Sequence, residues 1–300
     1  MERPLRPLRL RGSRRKLPSL MRVKFWGVRG SIPAPGPDTE AVGGNTSCLQ
    51  VIGEDGTELI LDAGSGIRDL TAEDLGHATR LHILLTHLHL DHIQGLLFFA
   101  PLFDPEAEIT VWGPPGRVPL RRRLARYLSD PLSPIEIGEL PARVSFENVP
   151  VDGWRVGDLQ IKAALVSHRG PTLGYRITEG DASLCYIPDH EPGLGLKLSS
   201  APGNWISGHS LAHDATVLIH DAQYTDQEYP GRRGWGHSSI SDMVAFAGRT
   251  RPGRLLMFHH DPTHDDRNLE LLEDQAAEEA ARLGADVRVQ LAREGHALNV

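Results

Sequence analysis

The sequence predicts an α/β (α+β) protein in which two β-sheets pack together with helices outside. Short apolar runs, bounded by turn residues, alternate along the chain. These runs gather in two halves, and each half leads into helical patterns, as in layered sheet-and-helix folds. The 31 glycines and 22 prolines among the 300 residues also favour many tight connections over long helices.

The individual elements follow from hydrophobic periodicity. Strands are predicted at 22–27, 47–53, 57–62, 81–85, 109–113, 143–148, 158–166, 173–178, 183–187, 216–219, 254–258 and 286–291. The clearest helix is 267–283, where apolar residues form one stripe, and further helices are predicted at 92–100, 117–129 and 239–248. No repeat or linker divides residues 21–300, so we expect a single domain there.

Charge separates the N-terminal segment 1–20 from the rest of the chain. This segment holds seven Arg and Lys side chains against one Glu, a net charge of +6, which leaves −13 on the remainder. We expect residues 1–20 to be a disordered basic tail and Met21 to be the natural start. An acidic body is a poor match for a long nucleic acid, because that affinity depends on phosphate neutralisation by Lys and Arg.

Composition also bears on the compartment. No run approaches the roughly 20 apolar residues that cross a bilayer, so we expect no membrane association. The two cysteines, Cys48 and Cys185, lie far apart in the chain without a Cys-x-x-Cys pattern. This usage is typical of a reducing compartment and predicts a cytoplasmic protein.

A dense group of potential metal ligands follows the predicted strand 81–85. The segment 86–92 reads Thr-His-Leu-His-Leu-Asp-His and contains His87, His89, Asp91 and His92. Side chains two residues apart in an extended segment point the same way, so the first two histidines face one point. The other two fall where the chain turns into a helix. Imidazole and carboxylate ligands suit Zn, Mn, Fe or Co without any thiolate.

This His-x-His-x-Asp-His pattern resembles the signature of the metallo-β-lactamase superfamily. The resemblance covers residues 22–300 and implies a four-layer αββα sandwich with a dinuclear metal site on one edge. Asp62, at the end of the strand 57–62, matches an aspartate that supports the metal loop in that superfamily without binding metal. Such outer partners orient ligands in many metal sites.

The resemblance also implies three more ligands, each after a predicted strand. His168, Asp189 and His259 match these positions. His260 is adjacent to the last one, but strand alternation cannot direct both imidazoles inward, and we favour His259. One ion is then expected to bind His87, His89 and His168, and the other to bind Asp91, His92 and His259, with Asp189 bridging them. We expect two divalent ions per chain, Zn²⁺ with Mn²⁺ as the alternative.

The expected chemistry is hydrolysis by a hydroxide held between the two ions, which needs no Ser or Cys nucleophile. Asp91 and Asp189 are expected to position that hydroxide. The segment Gly236-His237-Ser238-Ser239 resembles a motif of phosphodiesterases related to ribonuclease Z. There the histidine contacts the scissile phosphate and can protonate the leaving oxygen, which is the role expected for His237.

A second motif of that group is matched less closely. His220-Asp221-Ala222-Gln223 resembles its His-Glu-Ala-Thr motif, with Asp in place of Glu and Gln in place of Thr. The resemblance implies that Asp221 orients His237. The glycine-rich segments at 26–31 and 43–47 resemble N-terminal segments that line the same edge.

The substrate remains open between three classes. Ribonuclease Z carries its tRNA-binding arm between the ligands that match His168 and Asp189, and only the short segment 169–188 separates them here. We therefore expect a small phosphodiester, such as a cyclic nucleotide or another cyclic phosphate. The alternatives are a lactone, carboxylic-ester or thioester hydrolase and a tRNA 3′-processing endonuclease. By analogy with related phosphodiesterases we expect a homodimer.

Two groups of residues have open interpretations. His190 and Glu191 follow the predicted bridging aspartate and could either contact substrate or form a turn. Basic residues on the predicted helix 117–129 could steer an anionic substrate, lie on a solvated face or form a subunit contact; they are Arg121, Arg122, Arg123 and Arg126.

Overall fold

The computed structural model describes residues 21–300, and the predictions for residues 1–20 lie outside that range. The described residues form two seven-stranded sheets that pack against each other. Helices cover the outer faces, so the predicted layered α/β architecture is confirmed. Among residues 21–300 no helix has the length and apolar character needed to cross a bilayer.

The first sheet has the strand order β14-β1-β2-β3-β4-β5-β6. Its strands β3 to β6 run parallel to one another, whereas β14, β1, β2 and β3 pair antiparallel. The bounds are β1 Arg22–Gly27, β2 Cys48–Ile52, β3 Glu58–Leu61, β4 Arg80–Leu84, β5 Glu108–Gly113, β6 Arg143–Asn148 and β14 Ala297–Asn299.

The second sheet repeats this pattern with the order β13-β12-β11-β10-β9-β8-β7. Strands β10 to β13 are parallel, and β7 to β10 pair antiparallel. The bounds are β7 Trp154–Val156, β8 Leu159–Leu165, β9 Leu173–Glu179, β10 Ala182–Ile187, β11 Val217–Asp221, β12 Arg254–Phe258 and β13 Arg288–Leu291. Each sheet thus has a set of parallel strands whose carboxyl ends share one edge.

Alternation along the strands divides the apolar side chains between two layers. In β3, Leu59 and Leu61 contribute to the core that contains residues of both sheets, whereas Ile60 faces the outer layer. That outer layer is filled by apolar residues of the segment 93–128, such as Phe99 and Leu124. All of these side chains are fully buried. The strand β3 is therefore anchored on both faces, which fixes the position of the loop that follows it.

The helices are α1 Leu90–Ile93, α2 Leu120–Leu124, α3 His209–Ala212, α4 Tyr229–Arg232, α5 Ile240–Thr250 and α6 Asp266–Arg282. The last two match their predictions. Ser239 caps α5 by accepting a hydrogen bond from the backbone N–H of Asp242, and Asp265 caps α6 in the same way.

Two helix predictions are wrong in extent. The predicted helix 92–100 ends at Ile93 and continues as two short 3₁₀ turns. Gly95 lies against the carbonyl oxygen of Gly64, which a Cβ at that position would approach within 2.0 Å. The backbone N–H of Gly95 donates to the carbonyl oxygen of Ala63 at 2.9 Å instead of to residue 91, and Pro101 has no N–H to donate, so the segment does not form one regular helix. The predicted helix 117–129 is regular only over α2, which begins after Pro119 and ends in turns.

Candidate metal centre

The segment after β4 turns sharply into α1 and carries the first group of candidate metal ligands. His87 and His89 lie with their rings 4.3 Å apart, centre to centre. His168, which follows β8, brings a third ring to 4.9 Å from His87 and 5.1 Å from His89. A hairpin of β9 and β10 then leads to Asp189, whose Oδ2 is 3.5 Å from Nε2 of His168. Ligand atoms of all four residues lie within 4.8 Å of one another.

A second group of donors lies beside the first. The Oδ2 atom of Asp91 is 3.2 Å from Nε2 of His259 and 3.3 Å from Nε2 of His92. The two imidazole nitrogens face each other at 3.4 Å. The three side chains come from α1 and from the end of β12, which the packing of the two sheets brings together.

Asp189 lies between the two groups. Its Oδ1 is 3.0 Å from Nε2 of His92 and 3.4 Å from Nε2 of His259. Its Oδ2 faces the other group and is 3.7 Å from Nε2 of His87. A carboxylate in this position has one oxygen directed at each group, as a bridging ligand requires.

Two buried atoms at the centre have no hydrogen-bond partner among residues 21–300. They are Nε2 of His87 and Oδ1 of Asp189. A buried polar atom without a partner is costly, and a metal ion between these donors would satisfy both. The donor set therefore fits divalent metal ions.

The tautomers also suit metal binding. His92 donates from Nδ1 to Asp62 Oδ2 at 2.8 Å, and His168 donates from Nδ1 to the carbonyl oxygen of Gly236 at 2.7 Å. The Nδ1 of His259 lies 3.0 Å from the side-chain oxygen of Gln223. Each Nδ1–H is thereby committed to an oxygen, which leaves the Nε2 lone pair directed at the centre.

Burial and neighbouring charges shift the pKa values of the candidate ligands. It is the largest influence on the pKa of His87, which is lowered well below its usual value, and repulsion from His92 adds to the effect. The pKa values of His89 and His168 are also lowered, chiefly by burial. Burial opposes ionisation of Asp189, but the surrounding histidines hold its pKa well below the usual range. Neutral imidazoles and an ionised carboxylate are the forms that bind metal. At His92 burial lowers the pKa, but Asp189 and the other nearby carboxylates outweigh it and raise the pKa well above its usual value, so a metal ion there would displace a proton.

Asp62 contacts the loop 86–92, which carries four of the candidate ligands and is called the metal loop below, but it does not reach the metal centre. It is fully buried at the end of β3, and its Oδ1 accepts hydrogen bonds from the backbone N–H and the hydroxyl of Thr86, at 2.7 and 2.9 Å. The hydroxyl of Tyr186 donates to Oδ2 at 2.9 Å. Together with its bond to His92, these contacts hold the backbone and one ring of the loop in place.

The adjacent histidines at the end of β12 have different environments. His259 has a left-handed backbone, with φ of 58°, which turns its ring toward the centre. His260 points away, and its Nε2 lies 3.2 Å from the carbonyl oxygen of Ala292. The structure thus directs only the first of the two residues at the proposed metals.

His237 lies at the mouth of the centre. Its ring stacks on His259 with 5.0 Å between centres, and its Nδ1 is 2.8 Å from Asp221 Oδ2 and 3.9 Å from Asp189 Oδ2. Burial disfavours the charged form, but the carboxylate of Asp221 outweighs it and raises the pKa of His237 to about 8. An imidazole in this state can hold a proton and give it up.

The sequence is compatible with either a substrate contact or a turn at Glu191, and the structure gives this residue a definite environment. This buried carboxylate accepts hydrogen bonds from the backbone N–H groups of Gly234 and Gly236, at 2.7 and 2.8 Å, and from the hydroxyl of Tyr229 at 2.9 Å. The loop so held precedes His237 and contacts a ring nitrogen of His168. No local sequence pattern identifies this role, because the partners are backbone groups of a loop far along the chain.

His190 and the first glycine-rich segment also have defined environments. His190 is fully buried and bonds to His220 and Ser207, at 2.9 and 2.7 Å, so it packs behind the site. The N-terminal glycine-rich segment lies at the same edge, where the backbone N–H of Ser31 donates to Asp91 Oδ2 at 2.8 Å.

Residues 57–260, more than half of the chain, match the family model of the beta-lactamase superfamily domain. The chain belongs to the beta-lactamase superfamily. Its member ribonuclease Z from Haloferax volcanii is 25% identical over 289 residues, which cover 90% of this chain and 82% of that protein. The predicted relationship to ribonuclease Z is therefore confirmed, and this superfamily chain is a metal-dependent hydrolase.

Solved structures of the beta-lactamase superfamily share the fold. The short form of human tRNase Z superposes with a TM-score of 0.62 at 22% identity, covering 93% of this chain and 99% of that one. A diphosphatase of the PhnP family superposes with a TM-score of 0.65 at 17% identity, covering 93% and 98%. At these identities the likeness shows the fold, which confirms the predicted four-layer sandwich.

Proposed function

We propose that this hydrolase is a phosphodiesterase acting on a small phosphodiester, such as a cyclic nucleotide or another cyclic phosphate. The observation that carries the proposal is the place of His237. A protonatable imidazole, held by Asp221, lies 3.9 Å from the central carboxylate of Asp189. Hydrolysis of a phosphodiester releases an alkoxide or aryloxide that needs a proton, and this group can supply one.

The proposed ligands of one ion are His87, His89 and His168, and those of the other are Asp91, His92 and His259. Asp189 contacts both groups and is the proposed bridge. Two divalent ions there, Zn²⁺ or Mn²⁺, would supply an activated water and neutralise charge on the phosphoryl oxygens. Imidazole and carboxylate donors suit either metal.

The chain's own residues then have distinct tasks. Asp91 and Asp189 are buried, and nearby histidines hold their pKa values well below the usual range, so their carboxylates can accept hydrogen bonds from the attacking water and orient it. His237 donates the proton to the leaving oxygen from Nε2, because its Nδ1 is bonded to the Asp221 carboxylate. Asp221 also accepts from the backbone N–H groups of Gln223 and Ser238, so it cannot rotate away without breaking several bonds.

Two features favour a small substrate. Between His168 and Asp189 the chain makes only the hairpin of β9 and β10, which leaves no room for a long tRNA-binding insertion. The net charge of residues 21–300 is −13, which disfavours a long polyanion.

One alternative is supported by the relatives' names. Ribonuclease Z and tRNase Z are the names of proteins with this fold, and a tRNA 3′-processing endonuclease would use the same proton donor. A lactone, carboxylic-ester or thioester hydrolase would need the metals but not His237. We also propose a homodimer, as expected from the resemblance to related phosphodiesterases, which sedimentation of the metal-loaded protein would test.

The experiment compares four substrates with metal-loaded protein under one condition. They are an aryl phosphodiester, an aryl carboxylic ester, a lactone and a precursor tRNA. Turnover of the phosphodiester, with little cleavage of the precursor tRNA, is the expected result. Turnover of the ester or lactone alone would contradict the phosphodiesterase assignment, and efficient tRNA cleavage would contradict the small-substrate assignment.

A further inference from the structure

A cavity of about 210 Å³ opens directly beside the proposed metal centre. His87 and His89 form part of its wall, and two arginines, Arg123 and Arg169, form another part. Its remaining lining consists of leucine, prolines and a glycine, so among residues 21–300 no Asp or Glu lines it. The cavity is therefore cationic in a chain that is otherwise acidic.

Within the part of the chain that the structure describes, neither guanidinium group forms an ion pair. The ion pairs formed by arginines of residues 21–300 all involve other arginines. Arg123 donates from one terminal nitrogen to the carbonyl oxygen of Pro114 at 2.5 Å, which fixes the side chain, and its buried Nε has no partner. Arg169 is exposed and adjacent in sequence to His168.

A second cavity, of about 340 Å³, continues from the first and shares Leu88 and Arg123 with it. It adds Arg126 and an apolar surface that includes Leu90 and Leu132, which are 60% and 68% exposed. None of its lining residues within 21–300 is acidic. The cationic character thus extends outward from the metals along one side of the mouth.

We infer that Arg123 and Arg169 form a subsite for a second anionic group of the substrate, beside the phosphodiester that the metals hold. Two guanidinium groups that line one cavity offer several N–H donors to a phosphate or carboxylate that enters it, and hydrogen bonds to such a charge are stronger than neutral ones. The substrate class is then a phosphodiester that carries an additional phosphate or carboxylate. This inference rests on the proposed function, because the metals must hold the first phosphate.

Calorimetric titration of metal-loaded protein with thymidine 3′,5′-bisphosphate and with thymidine 5′-monophosphate tests the subsite without turnover. The wild type is expected to bind the bisphosphate about tenfold more tightly, which is the effect of one charge-assisted contact. Arg169→Gln and Arg123→Gln should each reduce this ratio to about two or less. Arg122→Gln is the matched control, since Arg122 is exposed on the same helix and lines neither cavity.

Equal affinities in the wild type would overturn the subsite, as would a ratio that survives both substitutions. A ratio that falls equally in Arg122→Gln would also overturn it, because a general surface field would then explain the preference. If Arg123→Gln does not fold, Arg169→Gln decides alone, since its side chain makes no internal bond that the fold requires. Aryl phosphodiester turnover is measured in parallel. Turnover without the bisphosphate preference contradicts the subsite alone, and preference without turnover contradicts the proposed function alone.

Discussion

The Oδ2 atom of Asp221 lies 2.8 Å from Nδ1 of His237, which joins the end of β11 to the loop before α5. This contact connects the carboxyl edge of the second sheet to the mouth of the metal centre. It places a charged partner behind a histidine that has its other nitrogen free.

Asp221→Asn should reduce turnover of an aryl phosphodiester by about tenfold or more and leave the metal content unchanged. An amide keeps the shape but removes the charge that holds His237 protonated and oriented, and general acid catalysis contributes about 10²–10⁴-fold. Steady-state kinetics and elemental analysis of the same preparation measure both quantities. Asp181→Asn, at an exposed turn, is the control. Unchanged kcat in Asp221→Asn would contradict the positioning role.

Asp62→Asn should weaken metal binding although Asp62 does not reach the metals. The carboxylate accepts the Nδ1 proton of His92 and two hydrogen bonds from Thr86. Loss of such a partner commonly costs about 10–100-fold in metal affinity. Competition with a chromophoric chelator gives the dissociation constant, and an affinity equal to that of the wild type would show that the loop holds its ligands without this carboxylate.

Glu191→Gln should lower both turnover and the affinity of the ion proposed at His168. The amide can accept fewer hydrogen bonds from the loop, so Gly236 is released and with it the partner of the His168 ring. Tyr229→Phe is the graded control, because it removes only one of the three bonds to the carboxylate. An effect no larger than that of Tyr229→Phe would mean that the loop holds its place unaided.

Removal of the metals should lower thermal stability. Histidine nitrogens and carboxylates at 3.0–3.4 Å are buried together at the centre, and metal ions bind them only in the folded state. At a free metal concentration 100 times the dissociation constant, binding adds about 2.7 kcal/mol to the free energy of unfolding. Calorimetric scans before and after chelation, and again after Zn²⁺ is restored, measure the change in Tm. An identical Tm in all three states would contradict a structural contribution of the metals.

Gly64→Ala should destabilise the fold by about 1–3 kcal/mol. A Cβ there would lie 2.4 Å from the carbonyl oxygen of Asp91 and 2.5 Å from the hydroxyl of Thr46, so backbone must move. Gly36→Ala is the matched control, since a Cβ at that position meets nothing within 4 Å. Chemical denaturation of both variants measures the difference, and equal stabilities would show that the metal loop can shift without cost.

Much of the fold could be predicted from the sequence because its signals are local. Twelve strands follow from apolar runs, and α6 follows from its stripe. The strands β7 and β14 were not predicted, because each has only three residues and hydrophobic alternation cannot be recognised over so short a segment. The helix predicted at 92–100 is interrupted chiefly for a nonlocal reason, because the N–H of Gly95 donates to Ala63 and not along the helix.

In the candidate site, too, the local patterns could be predicted from the sequence and the nonlocal contacts could not. The spacing within 86–92 and the strand ends at His168, Asp189 and His259 indicate donors that the structure brings together. Strand alternation shows that only one of His259 and His260 can face the centre. The left-handed backbone of His259, which the sequence does not reveal, is what turns that ring inward. Glu191 had no signal, because its partners are backbone N–H groups of a distant loop.

The substitution His237→Ala, assayed for metal content and for hydrolysis of an aryl phosphodiester, tests most directly whether this hydrolase is a phosphodiesterase with His237 as its proton donor. The side chain lies beside the proposed ligands but is proposed to act on the leaving oxygen, so its loss should leave both ions bound. Turnover should fall by about 10²-fold or more, as expected for loss of a general acid. A variant that keeps its metals and hydrolyses the phosphodiester at the full rate would contradict the role of His237 as proton donor.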